Sequence, residues 1–433
     1  MVHYQNYPDY RQPDLGWLGI IPSHWKTVAL HYVSRLKSGE SITALQFDEN
    51  GEFPVYGGNG FRGYYDHFTH DGDYVLIGRQ GALCGNINIA RGKFFASEHA
   101  IVVNPSWIFD TRWMGYQLLS MNLNQYSVSA AQPGLSAEVI GRLRIAFPPI
   151  EEQRAIGNFL DFKSTQIDAL ISKQKALLVK LEEKRIALIS HVVTKGLVHS
   201  VPVKNSEVEW LGNIPEHWEI RRLRFCIVTN PSKSEIKLAG EELVSFVPME
   251  SVGEYGGLSL SVEKELGEVG SGYTYFAEND VVVAKITPCF ENGKGAIARG
   301  LKNGVAFGTT ELHVLRAGEM ILPDYLFHLT MSHSFRCFGE SEMYGAGGQK
   351  RVPETFLKDF RIGLPPLSEQ QDLVDYINKV NQQIDLQMRK TADMISRLTE
   401  YRSTLITNAV TGKIDVRNFS IPENCESQRT ECA

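Results

Sequence analysis

The clearest hydrophobic pattern in the chain lies in residues 148–196, where apolar side chains recur at steps of three, four or seven. This spacing is typical of a long helix that packs along one seam against a partner helix. Pro148 and Pro149 end the preceding segment, while Glu151 and Glu152 favour a helix start. The predicted seam comprises Ile156, Leu160, Ile167, Leu170, Leu177, Leu181, Leu188 and Val192.

The same pattern returns in residues 365–413. Pro148 corresponds to Pro365, and the offset of 217 residues holds without a gap as far as Thr194 and Thr411. Each segment is about 45 residues long, or roughly 65 Å as a helix. Helices with matching seams should pack on each other, leaving their Lys- and Glu-rich outer faces to dock a partner. The second seam is predicted to contain Ile377, Ile384, Met388, Ile395, Leu398 and Leu405.

A second repeat marks where each half of the chain begins. The pattern W-L-G-x-I-P-x-H-W covers Trp17–Trp25 and Trp210–Trp218, with an offset of 193 residues. We call these two segments the start motifs. Each half therefore consists of a start motif, a variable block and a long helix. The predicted divisions are a first globular domain, a helix, a second globular domain, a second helix and a frayed polar tail, at residues 1–147, 148–196, 197–364, 365–413 and 414–433.

Both variable blocks alternate short apolar runs with Gly- and Asn-rich turns, as in residues 73–81 and 280–288. Such runs predict a twisted, mostly β domain, interrupted in the first block by a helix near residues 111–123. The predicted fold class is α+β, with two β-rich globular domains joined by two long helices. Residues 197–209, between the halves, are expected to form a polar link.

Composition excludes several classes of protein. The chain of 433 residues is 43% hydrophobic and 22% charged. It has no apolar run near the ~18 residues that a membrane span needs. Its first residues lack the layout of a signal peptide, so a cytoplasmic location is expected. The net charge of −6 requires any nucleic-acid contact to use local basic surfaces. The six cysteines are scattered without metal-ligand spacing and are interpreted as reduced thiols.

A search for catalytic motifs finds little. No G-x-x-x-x-G-K-S/T loop for ATP is present. Residues 104–107 resemble the N-P-P-aromatic signature of amino-methyltransferases, but their third residue is Ser and we interpret them as a turn. The repeated His24 and His217 are expected to pack beside tryptophans, and the repeated Glu98 and Glu311 to hold turns. A duplicated block without a catalytic motif indicates recognition and not turnover.

The doubled order of start motif, variable block and P-P-I/L-x-E-Q helix resembles the specificity subunit of type I restriction-modification enzymes. This resemblance spans nearly the whole chain. It implies that the two helices form an antiparallel coiled coil with a pseudo-twofold internal repeat. It also implies that the blocks are target-recognition domains, each reading half of a bipartite, asymmetric site in double-stranded DNA.

The resemblance further implies that the chain is not itself an enzyme and holds no cofactor. In that family two modification subunits methylate adenine with S-adenosylmethionine, and two restriction subunits use ATP to translocate and cleave DNA. Any S-adenosylmethionine, ATP or Mg²⁺ would therefore belong to partner subunits. The rival readings are a DNA-modifying enzyme that acts alone and a coiled-coil scaffold that binds only proteins.

Candidate DNA-contacting residues are chosen from Gly-bearing loops, because Arg pairs with guanine, Gln with adenine, and glycines let the backbone approach DNA. The first choice is the loop at residues 78–81. A structural role is at least as plausible for any single residue. The candidates are Asn59, Arg62, Arg79, Gln80 and Gln132 in the first block, and Lys285, Thr287, Asn292, Lys294, Gln349, Lys350 and Arg351 in the second.

Overall fold

The computed structural model describes residues 4–13, 18–81, 83–127, 134–198, 200–346 and 348–421. Contacts divide the chain into two compact units. Unit 1 consists of residues 1–175 and 393–433, and unit 2 of residues 176–392. Each unit therefore holds one β-rich block together with parts of both long helices.

Unit 1 contains two four-stranded sheets, ordered β6-β5-β10-β7 and β4-β11-β8-β9, and β3 pairs with β12. Its strands are β1 (Tyr10–Arg11), β2 (Ile21–Pro22), β3 (Lys26–Ala29), β4 (Ser34–Ser38), β5 (Phe53–Gly57), β6 (Gly60–Tyr65), β7 (His70–Asp71), β8 (Tyr74–Gly78), β9 (Ile87–Ala90), β10 (Lys93–Ala96), β11 (Ala100–Pro105) and β12 (Arg144–Phe147). Its short α-helices are α1 (Leu30–Val33), α2 (Thr111–Ser120) and α3 (Ala137–Arg142). Helix α2 confirms the helix predicted in the first block.

Unit 2 repeats this topology strand for strand, with four-stranded sheets ordered β18-β17-β22-β19 and β16-β23-β20-β21. Its strands are β13 (Val203–Asn205), β14 (Asn213–Pro215), β15 (Glu219–Arg222), β16 (Ile227–Thr229), β17 (Leu243–Val247), β18 (Glu263–Glu265), β19 (Thr274–Ala277), β20 (Val281–Ala284), β21 (Gly295–Ile297), β22 (Val305–Gly308), β23 (Leu312–Ala317) and β24 (Arg361–Leu364). Its short α-helices are α5 (Leu266–Val269), α6 (Pro323–Met331), α7 (His333–Ser341) and α8 (Glu354–Asp359). Strand β13 lies in the segment expected to be a polar link, because it pairs with β14 of the start motif.

The long helices are α4 (Ile150–Lys195) and α9 (Leu367–Val410). Both are followed by a glycine with a φ of 74°, Gly196 and Gly412. This left-handed conformation is accessible to glycine and ends a helix. Gly412 also lies where an added Cβ would be only 2.4 Å from Pro22 Cδ. The predicted α+β fold, with two β-rich domains and two long packed helices, is confirmed.

Two ion pairs show that the helices run antiparallel. In unit 1, Asp168 Oδ1 is 3.2 Å from Nε of Arg402, and in unit 2, Arg185 binds Asp385. Residue numbers therefore rise along α4 as they fall along α9. The offset of 217 residues converts each pair into the other, so the helices repeat their contacts as well as their sequence.

The seam prediction is wrong at two positions of α4. Leu170 and Leu177 are 46% and 42% exposed, whereas their neighbours Ile171 and Leu178 are partly buried. The predicted α9 seam residues Met388 and Ile395 correspond, through the 217-residue offset, to Ile171 and Leu178 of α4. The repeat therefore indicates these neighbours and not Leu170 and Leu177. Counted from Leu160 in alternating steps of four and three, the α4 positions are all buried or partly buried, namely Leu160, Ser164, Ile167, Ile171, Gln174, Leu178, Leu181, Arg185, Leu188 and Val192.

Polar residues therefore occupy part of this seam, at intervals of ten and eleven residues. Ser164, Gln174 and Arg185 in α4 correspond to Asn381, Thr391 and Arg402 in α9. The apolar pattern omits them because it records only hydrophobic positions. Polar residues inside a coiled coil lower its stability and select one register over the alternatives.

Each start motif binds the glutamate of the P-P-I/L-x-E-Q sequence in its own half. In unit 1, Glu152 accepts hydrogen bonds from Trp25 Nε1 at 2.9 Å and from the Tyr7 hydroxyl at 3.0 Å, and lies 2.7 Å from His24 Nε2. Burial and the Glu152 carboxylate raise the pKa of Tyr7. The two histidines were expected only to pack beside tryptophans, but they contact a carboxylate.

The corresponding cluster in unit 2 uses Glu369. Its carboxylate accepts from Trp218 Nε1 at 3.1 Å and lies 2.7 Å from His217 Nε2. The next residue of each motif also has a fixed role. Gln153 accepts from the Asp110 amide, and Gln370 from the Leu322 amide, at 2.9 and 2.8 Å. The recurring E-Q pair thus joins the start of each long helix to its β-rich block.

The frayed tail predicted after residue 413 is wrong for its first residues. Ile414 and Val416 are buried, and the Asp415 amide donates to the Gln5 carbonyl at 2.8 Å. The Phe419 ring lies 5.0 Å from the ring of Phe159. The apolar residues of this short segment pack against α4 residues that are distant in sequence. Residues 422–433 lie outside the described chain.

We predict that Leu181→Ala lowers the free energy of unfolding by about 2–4 kcal/mol, because it leaves a cavity in the seam. Leu177→Ala, on the exposed side of the same helix, should change it by less than about 0.5 kcal/mol. Urea unfolding followed by circular dichroism measures both values. Equal losses for the two variants would contradict the seam observed here.

Glu152→Ala should cost about 2–4 kcal/mol, because the buried Tyr7 hydroxyl and Trp25 indole both lose their acceptor. Glu151→Ala is the matched control, since the neighbouring carboxylate is exposed and should contribute less than about 1 kcal/mol. Thermal unfolding of both variants makes the comparison. A Glu152 variant as stable as the control would show that this cluster does not hold the helix start.

Candidate nucleic-acid interface

In unit 1 the loop after β8 is held by its backbone. The Arg79 amide donates to the His99 carbonyl at 2.8 Å, and the Arg79 carbonyl accepts from the Leu135 amide at 2.9 Å. Gln80 forms an isolated β-bridge with Gly134. The Arg79 side chain is half-buried and the Gln80 side chain is exposed. The backbone is therefore fixed on both sides while the side chains reach the surface.

The turn between β5 and β6 approaches this loop closely. A Cβ added to Gly78 would lie 2.4 Å from the Gly58 carbonyl oxygen, so only glycine permits the contact. The approach brings the turn that contains the exposed Asn59 beside Arg79 and Gln80. Arg62 lies further along β6, where its guanidinium sits 5.4 Å from the centre of the Phe47 ring. The fold thus gathers three of the first-block candidates, and Gln132 lies outside the described residues.

Unit 2 presents Lys285 in the backbone setting of Arg79. The Lys285 amide donates to the Glu311 carbonyl, and the Lys285 carbonyl accepts from the Val352 amide, both at 2.9 Å. The next residue, Ile286, forms a bridge with Arg351, as Gln80 does with Gly134. Lys285 and Arg79 therefore stand at equivalent positions of the repeated fold.

Four other second-block candidates lie near Lys285. The Thr287 amide donates to the Lys350 carbonyl at 3.0 Å, and Gln349 and Lys350 are exposed. Arg351 forms two hydrogen bonds to the Glu311 carboxylate, at 2.9 and 2.8 Å. The Arg351 guanidinium holds the pKa of Glu311 below its usual range. This pairing satisfies the guanidinium within the unit, so DNA would have to compete with Glu311 for it.

The remaining two candidates bind groups inside unit 2. Asn292 donates to the Glu254 carboxylate at 3.4 Å, and the Lys294 ammonium donates to the Met249 carbonyl at 3.1 Å. Both contacts join the loop after β20 to residues that follow β17. Asn292 and Lys294 thus have local partners, unlike the exposed Gln349 and Lys350.

In unit 1, Arg79 and Gln80 open onto a cavity of about 470 Å³ that Ser38 also lines. Ser38 is shared with a neighbouring cavity of about 310 Å³, whose lining includes Arg35, Lys37 and Glu40. We call these two cavities together the unit 1 cleft. Its rim carries more cationic than anionic side chains, which suits a phosphate backbone.

Unit 2 has a cleft at the equivalent place, where the edge strand β16 ends beside the residue after β20. Its volume is about 290 Å³, and its lining includes Asn230, Lys233, Tyr275 and Lys285. We call it the unit 2 cleft. Two cationic side chains therefore line this smaller cavity.

Sequence analysis missed Arg35, Lys37 and Lys233. Arg35 and Lys37 are exposed at alternate positions of the edge strand β4, so both lie on one face. That alternation was a usable signal, but the strand order was needed to place β4 at the edge of the sheet that contains β8. Lys233 follows β16 in a loop and gave no comparable pattern.

Other predicted features can be examined in the described part of the chain. Cys84, Cys226, Cys289 and Cys337 are free thiols. Among the described residues no group of three or more His, Cys, Asp or Glu side chains could hold a metal ion. None of the described helices is both long and apolar enough to cross a membrane. The buried Asp280 carboxylate binds Arg316 at 2.7 Å.

Comparison with known families finds the same duplication of the chain. The profile of the type I restriction modification DNA specificity domain matches residues 22–182 and again residues 230–394. The chain belongs to this family. Specificity subunits of the family are non-catalytic, as the resemblance implied, and carry two target-recognition domains.

Individual relatives match parts of the chain. The type I restriction enzyme EcoEI specificity subunit of Escherichia coli is 39% identical over 210 residues, which cover 47% of this chain and 35% of that protein. The EcoAI specificity subunit of the same organism is 42% identical over 171 residues, covering 39% and 29%. The chain thus spans well under half of the length of these relatives. The MjaVIII specificity subunit of Methanocaldococcus jannaschii is 22% identical and covers 92% of this chain and 95% of its own.

One solved structure has a similar fold throughout. It comes from work on complex assembly and conformational transition of the type I R-M system, and its TM-score is 0.66. The match covers 90% of this chain and 98% of that one at 14% sequence identity. At this identity the likeness concerns the fold alone.

Proposed function

We propose that the chain is the DNA-recognition subunit of a type I restriction-modification complex. In this proposal residues 1–147 and 197–364 are target-recognition domains, and each reads one half of a bipartite, asymmetric site. The observation that carries the proposal is that two identical topologies present different side chains at equivalent positions. Arg79 and Gln80 of unit 1 correspond to Lys285 and Ile286 of unit 2.

The difference between the clefts matters because hydrogen-bonding groups on side chains distinguish base pairs. Arg pairs with guanine and Gln with adenine in the major groove, whereas Ile has no hydrogen-bonding group. An isologous dimer presents the same groups twice and reads a palindrome. A single chain with unequal copies can read an asymmetric sequence instead.

The helices supply the second part of the proposal. We propose that residues 148–196 and 365–413 set the length of the unread spacer between the half-sites. Support comes from the continuity of α4 and α9, each of which passes through both units. An antiparallel pair with polar seam positions resists sliding, because a shifted register would bury unpaired Arg185 and Arg402.

The partners complete the assignment. We propose that the helices dock two modification subunits and that two restriction subunits join the complex. Methylation with S-adenosylmethionine and DNA cleavage with ATP and Mg²⁺ would then occur in those partners. A subunit with this role would act in the cytoplasm, as the sequence predicted.

Arg79→Ala should weaken specific DNA binding by about 1–3 kcal/mol and relax the preference at one base position. Arg91→Ala is the matched control, because Arg91 is exposed just beyond the end of β9 that pairs with the start of β8, away from Arg79. Gel-shift competition with the modification subunit present measures affinity and sequence preference. Unchanged binding by the Arg79 variant would remove this residue from the interface.

Removing one heptad from each helix, residues 171–177 and 392–398, should shorten the spacer and leave both half-sites unchanged. Seven residues span about 10 Å of helix, close to three base pairs of DNA. The deletion keeps the heptad register of both seams. A methylation profile of cells carrying the variant system measures the spacer length and the half-site sequences together. An unaltered spacer length would show that the helices do not set it.

A further inference from the structure

Strand β6, at the edge of a sheet in unit 1, contains a β-bulge. In the pair of β5 and β6, Val55 pairs with Gly63 and Tyr56 with Phe61, so Arg62 is an extra residue in β6. Such a bulge bends a strand and re-aims its side chains. Gly63 has a φ of 152°, a conformation that glycine adopts readily and other residues rarely do. The bulge is therefore a fixed feature of the backbone.

The bulge brings two aromatic rings together on the surface. Side chains three residues apart point to opposite faces of a regular strand. The rings of Phe61 and Tyr64 nevertheless lie 5.1 Å apart in an edge-to-face arrangement. Phe61 is 55% exposed and Tyr64 is 41% exposed. Because edge-to-face contacts between rings are favourable, each ring holds the other in place. Unit 1 thus presents a fixed apolar surface to solvent.

Phe61 lies next to candidate DNA-contacting residues. Its position in β6 is one register step beyond the pair that closes the turn containing Asn59. The Asn59 side-chain oxygen accepts a hydrogen bond from Nδ2 of Asn86 at 3.5 Å, and Asn86 belongs to the loop that begins with Arg79. Residues of a β-strand and bases of one DNA strand are both spaced by about 3.4 Å. Phe61 and Asn59 are therefore separated on the scale of neighbouring base pairs.

The chemistry of these neighbours gives an apolar ring a role in reading DNA. Arg, Gln and Asn side chains form hydrogen bonds with guanine and adenine in the major groove. The thymine 5-methyl is the apolar group that base pairs display there, and Phe is among the side chains that contact it. The exposed Arg62 beside the ring favours a polyanion over an apolar protein surface.

Unit 2 lacks this feature in the corresponding strand pair. Strands β17 and β18 pair without a register shift, from Leu243 with Glu265 to Ser245 with Glu263. The three residues of β18 are Glu263, Lys264 and Glu265, and both glutamates are exposed. Carboxylates at this edge repel phosphate groups. The aromatic surface therefore distinguishes unit 1 from unit 2.

We propose that Phe61 contacts the 5-methyl group of a thymine in the half-site that unit 1 reads, with Tyr64 holding the ring in position. This inference rests on the proposed function and adds one chemical feature of the DNA that unit 1 detects. Hydrogen bonds from the neighbouring polar side chains select purines, whereas the contact with Phe61 selects thymine over cytosine, which has no methyl group. A contact of this kind on one unit adds to the asymmetry of the site.

The test removes the methyl group from the DNA and the ring from the protein. The recognition sequence is obtained first, from a methylation profile of cells that carry the intact system. Each thymine in it is then replaced in turn by uracil, which lacks only the 5-methyl group. Gel-shift competition with the full-length chain and the modification subunit compares each duplex with the original one. One replacement should weaken binding by about four-fold, the value of a single buried methyl group.

Phe61→Ala should bind the thymine and uracil duplexes equally at that position, because it has no ring to contact the methyl group. Phe61→Leu keeps an apolar side chain and should retain part of the preference for thymine. Phe68→Ala is the matched control, since Phe68 is 43% exposed and its ring lies 5.0 Å from Phe53, at the opposite end of the strand pair. This control variant should keep the whole effect of uracil.

Equal binding of the unmodified chain to every uracil duplex would overturn the inference, and so would a Phe61→Ala variant that retains the full effect of uracil. If the unmodified chain binds its recognition sequence no better than unrelated DNA, the proposed function itself is wrong. Thermal unfolding checks that Phe61→Ala is folded. Phe61→Ser is a second variant without a ring and should also bind the thymine and uracil duplexes equally.

Discussion

The contact on which both halves depend is the one between a glutamate and a tryptophan indole at the start of each long helix, where Glu152 is buried and Glu369 is partly buried. Glu152 binds Trp25, and Glu369 binds Trp218, with a histidine on the second oxygen in each case. A carboxylate removed from water is stable only when its oxygens accept hydrogen bonds. The start motif supplies those donors, and so the beginning of each helix is tied to a fixed point of its β-rich block.

The same start motifs also meet the ends of the helices. Gly412, just beyond α9, packs on Pro22 and Trp25, and Gly196, just beyond α4, packs on Trp218. Each motif therefore holds the start of one helix and the end of the other. For this reason a compact unit contains residues from both halves of the sequence, and unit 1 includes the segment from residue 393 onward.

This arrangement separates the constant from the variable parts of the molecule. The glutamates, glutamines and helix ends repeat their contacts in both units, while the clefts share a backbone pattern and differ in their side chains. In the proposed function, recognition changes at Arg79 or Lys285 without disturbing the residues that carry the fold, because the loop backbone is held by main-chain hydrogen bonds. A scaffold that does not depend on its recognition side chains can support two different readings of DNA.

The sequence by itself determined the two long helices, the duplicated organisation and the β-rich character of both blocks, because periodicity and repeat offsets are local properties of the chain. It also indicated Arg79 and Lys285 as candidates for contact with DNA, whereas only the structure showed that they occupy equivalent positions. Tertiary structure alone decided which side of α4 is buried, since Leu170 and Ile171 both satisfy an apolar pattern and only the partner helix distinguishes them. It alone placed Arg351 on Glu311, Arg35 and Lys37 on the edge of the sheet that contains β8, and Ile414 and Val416 in a buried position. Each of these depends on a contact between residues far apart in the chain, and no local pattern encodes such a contact.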